Sequence, residues 1–271
     1  MNESEPTLIF LHIPKAAGTT LQAILARHFS PDRIYAMSTD AEESVKAFIE
    51  LPADRRAHFR LVMGHMSFGL HRNIPRPATY ITLLRDPLER TLSYYNYVRT
   101  TPRHALHRHI AVDGLGLKEF LEQSVTRDLD NGQTRLISGA WNSVADGACT
   151  LEMLAQAKDN LRAHFSLVGL AEEFDRSLVL LSQRFGWRDL AYRRRNVAAG
   201  RLSVRRLPAD ALAAVRRANV LDEELYAFAS SLYHSRWRRV GTAGHIHFLI
   251  HRLGQRAQPF IPPFIWRKID S

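Results

Sequence analysis

The sequence has little cysteine and no long apolar run. Cys149 is the single cysteine of the 271 residues, which excludes an intramolecular disulfide and fits a reducing compartment. Because no stretch of about 18 apolar residues is present, we expect no transmembrane helix. The opening residues, MNESEPT, are acidic and lack the basic and apolar segments of a secretory signal peptide. Together these absences predict a cytoplasmic protein.

Lysine is also scarce, so that the positive charge resides almost entirely on arginine. The chain has 37 basic and 27 acidic residues, a formal net charge of +10, and only 5 of the basic residues are lysines. Arginine can bind phosphate, sulfate and carboxylate groups through two parallel hydrogen bonds. The excess of arginine indicates a cleft for an anionic ligand, or else reflects the codon preference of a GC-rich genome. No nucleic-acid-binding motif accompanies the charge, and we expect no nucleic acid partner.

Glycine is missing where an ATP-binding loop would need it. Residues 8–25, LIFLHIPKAAGTTLQAIL, are typical of a buried strand, a small-residue loop and a helix start. Unpaired N–H groups and the helix dipole attract phosphate at such a helix start, and a lysine adds a full charge. An ATP-binding loop has the order G-x-x-x-x-G-K-[ST], whereas here the lysine precedes the glycine. The pattern predicts a phosphate site of another kind, unless it is a plain turn with a chance lysine. The loop residues are Lys15, Ala16, Ala17, Gly18, Thr19 and Thr20.

A second motif, YITLLRDPLERTLSYYNYV at residues 80–98, repeats the strand-to-helix pattern. Arg85 ends an apolar strand, and the Asp-Pro that follows suits the start of a helix. Since ligands of open α/β sheets bind beyond the carboxyl ends of the strands, the fold itself should bring Arg85 to a ligand. Ser93 lies roughly 9 Å further along the helix, within reach of the same group. The alternative for Arg85 is an ion pair with Asp86 or Glu89.

The two motifs together resemble those of sulfotransferases that use 3′-phosphoadenosine 5′-phosphosulfate (PAPS). The order P-K-x-x-G-T-T is similar to their 5′-phosphosulfate loop, and R-D-P-x-x-R-x-x-S-x-Y to their 3′-phosphate motif. HIPKAAGTT with RDPLERTLSYY resembles the branch of heparan sulfate and uronyl 2-O-sulfotransferases, including its bacterial members, over residues 8–235. The resemblance implies a P-loop-like, three-layer α/β fold with a central parallel sheet flanked by helices.

By this resemblance the co-substrate is PAPS, and no metal is required. The loop residues would hold the 5′-phosphosulfate, and Arg85 and Ser93 would hold the 3′-phosphate. Arg194 or Asn196, in the basic segment YRRRNV, would close over the 3′-phosphate and the adenine. Lys15 would also stabilise the charge on the leaving oxygen.

Transfer to a hydroxyl requires a base, and histidine, with an unperturbed pKa of about 6.5, is suited to it. His65 follows a short apolar strand in RLVMGHMSF, residues 60–68. In the 2-O-sulfotransferase branch a catalytic histidine occupies a similar Gly-His context, which makes His65 the candidate base. His12, next to the loop lysine, is the alternative. No set of histidine, cysteine and carboxylate residues has zinc-ligand spacing, and we expect no metal site.

The acceptor is expected to be a glycan, anionic or neutral, held by residues downstream of the second motif. The family places acceptor-binding elements there, and residues 99–116 predict a loop. Its candidate contacts are Arg99, Arg103, His107 and Arg108, unless these form a solvated face. A similar segment of relatives, DNGQTRLISG at residues 130–139, adds Asn131, Gln133 and Arg135.

Two units are expected along the chain. Residues 1–235 would form the sulfotransferase domain, and residues 236–271 a basic and aromatic extension. The extension, which contains PFIPPFIW, would contact a membrane surface or a partner, or pack onto the domain. Two other functions remain open, a nucleotide-dependent kinase on a related fold and a non-catalytic protein that binds anionic glycans.

Overall fold

The computed structural model of the chain describes residues 5–38, 40–123, 126–192 and 202–257. Within them, one five-stranded sheet has the order β2-β3-β1-β4-β5, and every neighbouring pair of strands is parallel. The strands are β1 (Thr7–Leu11), β2 (Ile34–Ala36), β3 (Leu61–Gly64), β4 (Ala78–Leu84) and β5 (Phe165–Leu170). The expected α/β fold with a central parallel sheet is confirmed.

Helices flank this sheet. Their bounds are α1 (Gly18–Leu25), α2 (Ala41–Glu50), α3 (Ala53–His58), α4 (Pro87–Thr100), α5 (His107–Ala111), α6 (Leu117–Glu122), α7 (Gly132–Ser138), α8 (Leu151–Ala163), α9 (Phe174–Phe185), α10 (Ala209–Ala218), α11 (Val220–Arg238) and α12 (Gly241–Ala257).

Short or exposed elements escaped the sequence analysis. Strand β2 has three residues with partly exposed side chains, so that it leaves no apolar run to detect. The segment 99–116, expected to be a loop, contains the end of α4 and the five-residue helix α5. Helix α9 begins at Phe174, so that Glu172 lies in the turn between β5 and this helix.

The central position of β1 decides where a ligand can bind. Its five residues are all buried. Strands β3 and β4 pair with its two edges, and helices cover the two faces of the sheet. Leu11 at its carboxyl end pairs with Gly64 of β3 and with Thr82 of β4. The chain leaves β1 toward one side of the sheet and later returns to the other, which makes this end a topological switch point. The residues that follow β1, β3 and β4 therefore meet at one edge.

A buried polar network fixes α7 against α4 and α11. The carboxylate of Asp222 accepts hydrogen bonds from the backbone N–H groups of Gln133 and Thr134 (3.1 and 2.7 Å) and from the Thr134 hydroxyl (2.8 Å). It thus serves the unpaired N–H groups at the start of α7. Arg90 of α4 lies 3.5 Å from the same carboxylate, and both side chains are fully buried.

The C-terminal helices join the domain. The expected boundary between residues 235 and 236 falls inside the continuous helix α11. Trp237, just beyond that boundary, is buried in the main hydrophobic core, and α12 packs against α9. Residues 258–271, the end of the expected extension, lie outside the described residues. In the described part of the chain, each helix is too short or too polar to cross a bilayer.

We expect Asp222→Ala to lower the free energy of unfolding by about 3–5 kcal/mol, because a buried Arg90 would lose its carboxylate. Urea denaturation followed by circular dichroism measures this. The matched control Glu223→Ala removes an exposed carboxylate one position along, and should change the value by less than about 0.5 kcal/mol. Equal stabilities of the two variants would contradict the role of the network.

Candidate active site

A cleft of about 1710 Å³ opens at the edge where β1, β3 and β4 end. His12 follows β1, His65 follows β3 and Arg85 follows β4, and all three line it. The residues proposed from the sequence that line this cleft are His12, Lys15, Ala17, Gly18, Thr19, Thr20, His65, Arg85, Ser93, Arg99 and Arg103. Two motifs separated by about 70 residues of chain thus meet in one concave site.

The loop between β1 and α1 has a strained backbone. Lys15 and Ala17 have φ angles of 66° and 62°, in the left-handed region that costs a residue other than glycine about 1–2 kcal/mol. Ala17 is the N-cap of α1 and provides no side-chain hydrogen bond to the first turn. The first-turn N–H groups and the positive end of the helix dipole are therefore available to an anion in the cleft. Ala16 is buried in the main hydrophobic core.

The single glycine of this loop is required by the ring of His12. A Cβ atom on Gly18 would lie 1.9 Å from Cδ2 and 2.1 Å from Nε2 of that ring. The ring is held in place by stacking on Phe10 and on His65, with centroid distances of 5.5 and 4.3 Å. A larger residue at position 18 would therefore move either the loop or the histidine pair.

The two histidines differ in what they can do chemically. The Nδ1 of His65 lies 2.9 Å from the backbone carbonyl oxygen of His12. A carbonyl only accepts hydrogen bonds, so Nδ1 carries the proton and the lone pair is left on Nε2. Burial, followed by the nearby His65, lowers the pKa of His12 to about 3. His12 is therefore neutral at physiological pH. Both histidines line the cleft, but His12 is buried whereas His65 is only half-buried.

Lys15 connects the loop to α4. Its ammonium group lies 3.8 Å from the centroid of the Tyr97 ring, a cation–π contact. Tyr97 follows Ser93 by four residues and lies on the same face of α4. Tyr97 was not predicted from the sequence, although its position four residues after Ser93 indicates that it shares a helix face with this serine.

Arg85 connects the second motif to the first. Its Nη1 donates a hydrogen bond to the backbone carbonyl of Lys15 (3.1 Å). The same guanidinium lies 3.6 Å from Glu89 and 4.0 Å from Glu172, so the ion pair with Glu89 considered from the sequence is present. Asp86 instead caps α4 by accepting from the N–H of Glu89. The Arg85 side chain is 27% exposed and keeps a surface toward the cleft.

Gln133 holds the Arg85 backbone, and its side chain is fully buried. Its amide accepts from the Arg85 N–H (3.0 Å) and donates to the Arg85 carbonyl (2.9 Å). Arg135 is fully buried as well, and pairs with Asp130 at 2.5 Å. The expected acceptor contacts of Gln133 and Arg135 are therefore corrected to structural roles. Asn131 is likewise buried, and accepts from the N–H groups that begin α11.

The other expected acceptor contacts divide into two groups. Arg99 and Arg103 line the cleft. His107 instead bonds to the carbonyl of Val98 (2.8 Å), and Arg108 is largely exposed and outside the lining. Arg194 and Asn196, the candidates from the segment YRRRNV, lie outside the described residues. Other cleft residues that the sequence analysis missed are His104, Asp128 and Trp141.

We expect Gly18→Ala to weaken the binding of adenosine 3′,5′-bisphosphate by about tenfold or more, because the added Cβ overlaps the His12 ring. Isothermal titration calorimetry measures this. In the matched control Gly116→Ala, the new Cβ would meet only the flexible carboxylate of Glu119, and binding should be unchanged. Wild-type affinity in Gly18→Ala would show that the loop does not hold the phosphate.

Comparison with known proteins gives a family for this site. The sequence model described as galactose-3-O-sulfotransferase matches residues 1–256. Galactose-3-O-sulfotransferase 3 of Bos taurus and that of Homo sapiens are each 30% identical over 264 residues, which cover 88% of this chain and 58% of theirs. Heparan-sulfate 6-O-sulfotransferase 1 of Homo sapiens is 24% identical over 286 residues, covering 87% of this chain and 67% of its own.

These similarities confirm the carbohydrate sulfotransferase class that the two motifs predicted. These matches do not support the narrower expectation of the 2-O-sulfotransferase branch, because the matching sequence model is that of galactose-3-O-sulfotransferase. The chain spans only about 58% of the length of the galactose-3-O-sulfotransferases that it matches. Within that span, the match from residue 1 to residue 256 includes both phosphate motifs and the candidate base, and the chain belongs to the galactose-3-O-sulfotransferase family.

Proposed function

We propose that the protein transfers the sulfuryl group of PAPS to a hydroxyl group of a carbohydrate, with His65 as the general base. One observation carries the proposal. His65 is oriented by the carbonyl of His12 so that its lone pair is on Nε2, and it shares a cleft with the loop that begins at Lys15. A base and an anion-binding loop in one cleft are the two elements that transfer to a hydroxyl needs.

The donor would bind across the two motifs. The left-handed residues Lys15 and Ala17, with the N–H groups at the start of α1, form a concave surface suited to a 5′-phosphosulfate. Arg85 and Ser93 lie beside it and would hold the 3′-phosphate. The absence of a side chain at Gly18 leaves the room that the His12 ring occupies beside this loop.

The acceptor hydroxyl would lose its proton to Nε2 of His65 as its oxygen attacks sulfur. The bond from sulfur to the 5′-phosphate oxygen breaks on the opposite side. Lys15 and the loop N–H groups would stabilise the negative charge that develops on the leaving oxygen. The products are a sulfate ester and adenosine 3′,5′-bisphosphate, and the proton remains on His65 until solvent removes it.

His12 is the weaker candidate for the base. With a pKa of about 3 it has little tendency to take a proton from a hydroxyl near neutral pH. Its carbonyl and its ring instead position His65 from two directions. We propose His12 as a positioning residue.

The acceptor proposed first is a galactose residue of a glycan. The relatives are named for transfer to galactose and to heparan sulfate, which favours a sugar hydroxyl over a phenol or a lipid alcohol. Arg99 and Arg103 at the cleft would favour a glycan that carries negative charge. The kinase alternative is disfavoured, because Gly18-Thr19 stands where an ATP-binding loop has Gly-Lys.

We expect His65→Asn to lower kcat by about 10²- to 10⁴-fold, because it removes the base while the amide can still donate to the His12 carbonyl. Binding of adenosine 3′,5′-bisphosphate should remain within about threefold of wild type, since the 5′ and 3′ phosphate contacts are intact. Sulfate transfer from labelled PAPS to galactose-terminated and uronic-acid glycans measures the rate.

The pH profile provides a second readout for the same variant. The wild-type rate should fall on acidification, as protonation removes the lone pair of the base, and this limb should be absent in the residual activity of His65→Asn. The control His104→Asn changes another histidine of the cleft and should keep both rate and profile. Wild-type turnover in His65→Asn would reject this base, and binding of the bisphosphate without transfer to any glycan would favour the non-catalytic alternative.

A further inference from the structure

Helix α12 has an apolar stripe on its solvent side. Ile246, Leu249, Ile250 and Leu253 recur at i, i+3, i+4 and i+7, and between 52% and 64% of each residue is exposed. Such a contiguous stripe, unlike scattered apolar residues, marks a contact surface. None of these four residues lines the catalytic cleft.

The opposite side of α12 is fixed to the protein. The ring of Phe248 packs on Trp237 with a centroid distance of 5.5 Å, and Nε2 of His251 lies 3.6 Å from the carboxylate of Asp175 on α9. Residues 248 and 251 lie about half a turn away from the stripe. These contacts set the rotation of the helix, so that the stripe points outward.

Positive charge is concentrated in the same part of the chain as the stripe. Residues 225–269 contain seven arginine and lysine residues and no aspartate or glutamate. Arg236, Arg238 and Arg239 are exposed at the end of α11, directly before α12. Arg236 and Arg239 also line, with Arg184, a second cavity of about 580 Å³. Partial burial, followed by the nearby charges of Arg184 and Arg239, lowers the pKa of Arg236.

We propose that the α12 stripe and the neighbouring arginines dock the protein onto the surface of an anionic lipid bilayer. A helix that lies flat at the interface buries an apolar face while neighbouring cations meet the headgroups; α12 supplies the apolar face, and the exposed arginines at the end of α11 supply the cations. A second copy of the chain is a poorer occupant, because pairing through the stripe would bring two sets of like-charged arginines together. The sequence that follows, PFIPPFIWRK, continues the apolar and basic pattern.

Co-sedimentation of the full chain with lipid vesicles tests this proposal. We expect binding to vesicles of equal parts phosphatidylcholine and phosphatidylglycerol, weaker binding to phosphatidylcholine alone, and a decrease with added salt. The double variant Leu249→Gln/Leu253→Gln should lose about tenfold in vesicle affinity. Arg238→Gln/Arg239→Gln should lose a similar factor and most of the salt dependence. The matched control Leu151→Gln/Val220→Gln changes exposed apolar residues elsewhere and should bind as the wild type does.

Three outcomes would overturn the proposal. One is absence of wild-type binding to the anionic vesicles, and another is equal binding of the stripe variant and its control. The third is a stripe variant that loses a concentration-dependent self-association, or several degrees of thermal stability, without losing vesicle affinity. The stripe would then be covered by a second copy or by the chain's own residues. Binding of adenosine 3′,5′-bisphosphate should be the same in all variants, so that the result is independent of the proposed catalytic function.

Discussion

The hydrogen bond from the Arg85 guanidinium to the carbonyl of Lys15 joins the loop after β1 and the motif at Arg85 into one site. It ties the loop after β1 to the start of α4, across the switch point of the sheet. The loop needs such support, because Lys15 and Ala17 both have left-handed backbones that cost energy. The distance between the groups that we propose to hold the two ends of the donor depends on this bond.

The support of Arg85 continues into the protein interior. Gln133 clasps its backbone by two hydrogen bonds, and the helix that carries Gln133 is held at its start by Asp222. The side chains of Gln133 and Asp222 are fully buried. An unsatisfied buried polar group would cost about 1–3 kcal/mol, so the groups of this network stabilise one arrangement only. The buried hydrogen bonds of Gln133 and Asp222 thereby fix the position of Arg85 in the cleft.

Most of what the sequence predicted correctly was local or periodic. Apolar runs revealed β1, β3 and β4, and the order of lysine, glycine and threonine in one loop pointed to the sulfotransferase class. Gln133 and Arg135 were predicted to contact the acceptor, but both are buried. Residue type alone does not distinguish a polar side chain in a buried network from one that binds a ligand. The partners of the side chain decide between the two, and the partner of Gln133, Arg85, lies 48 residues away in the sequence. The constraint that His12 places on Gly18 is likewise visible only in three dimensions.

Calorimetric titration of the wild type and of Arg85→Ala with adenosine 3′,5′-bisphosphate, 5′-AMP and ATP tests the central claim most directly. The account predicts that the wild type prefers the bisphosphate. It predicts further that Arg85→Ala weakens the bisphosphate by about tenfold to a hundredfold, and weakens 5′-AMP, which lacks the 3′-phosphate, much less. A wild-type preference for ATP, or an equal loss for the bisphosphate and 5′-AMP, would contradict it.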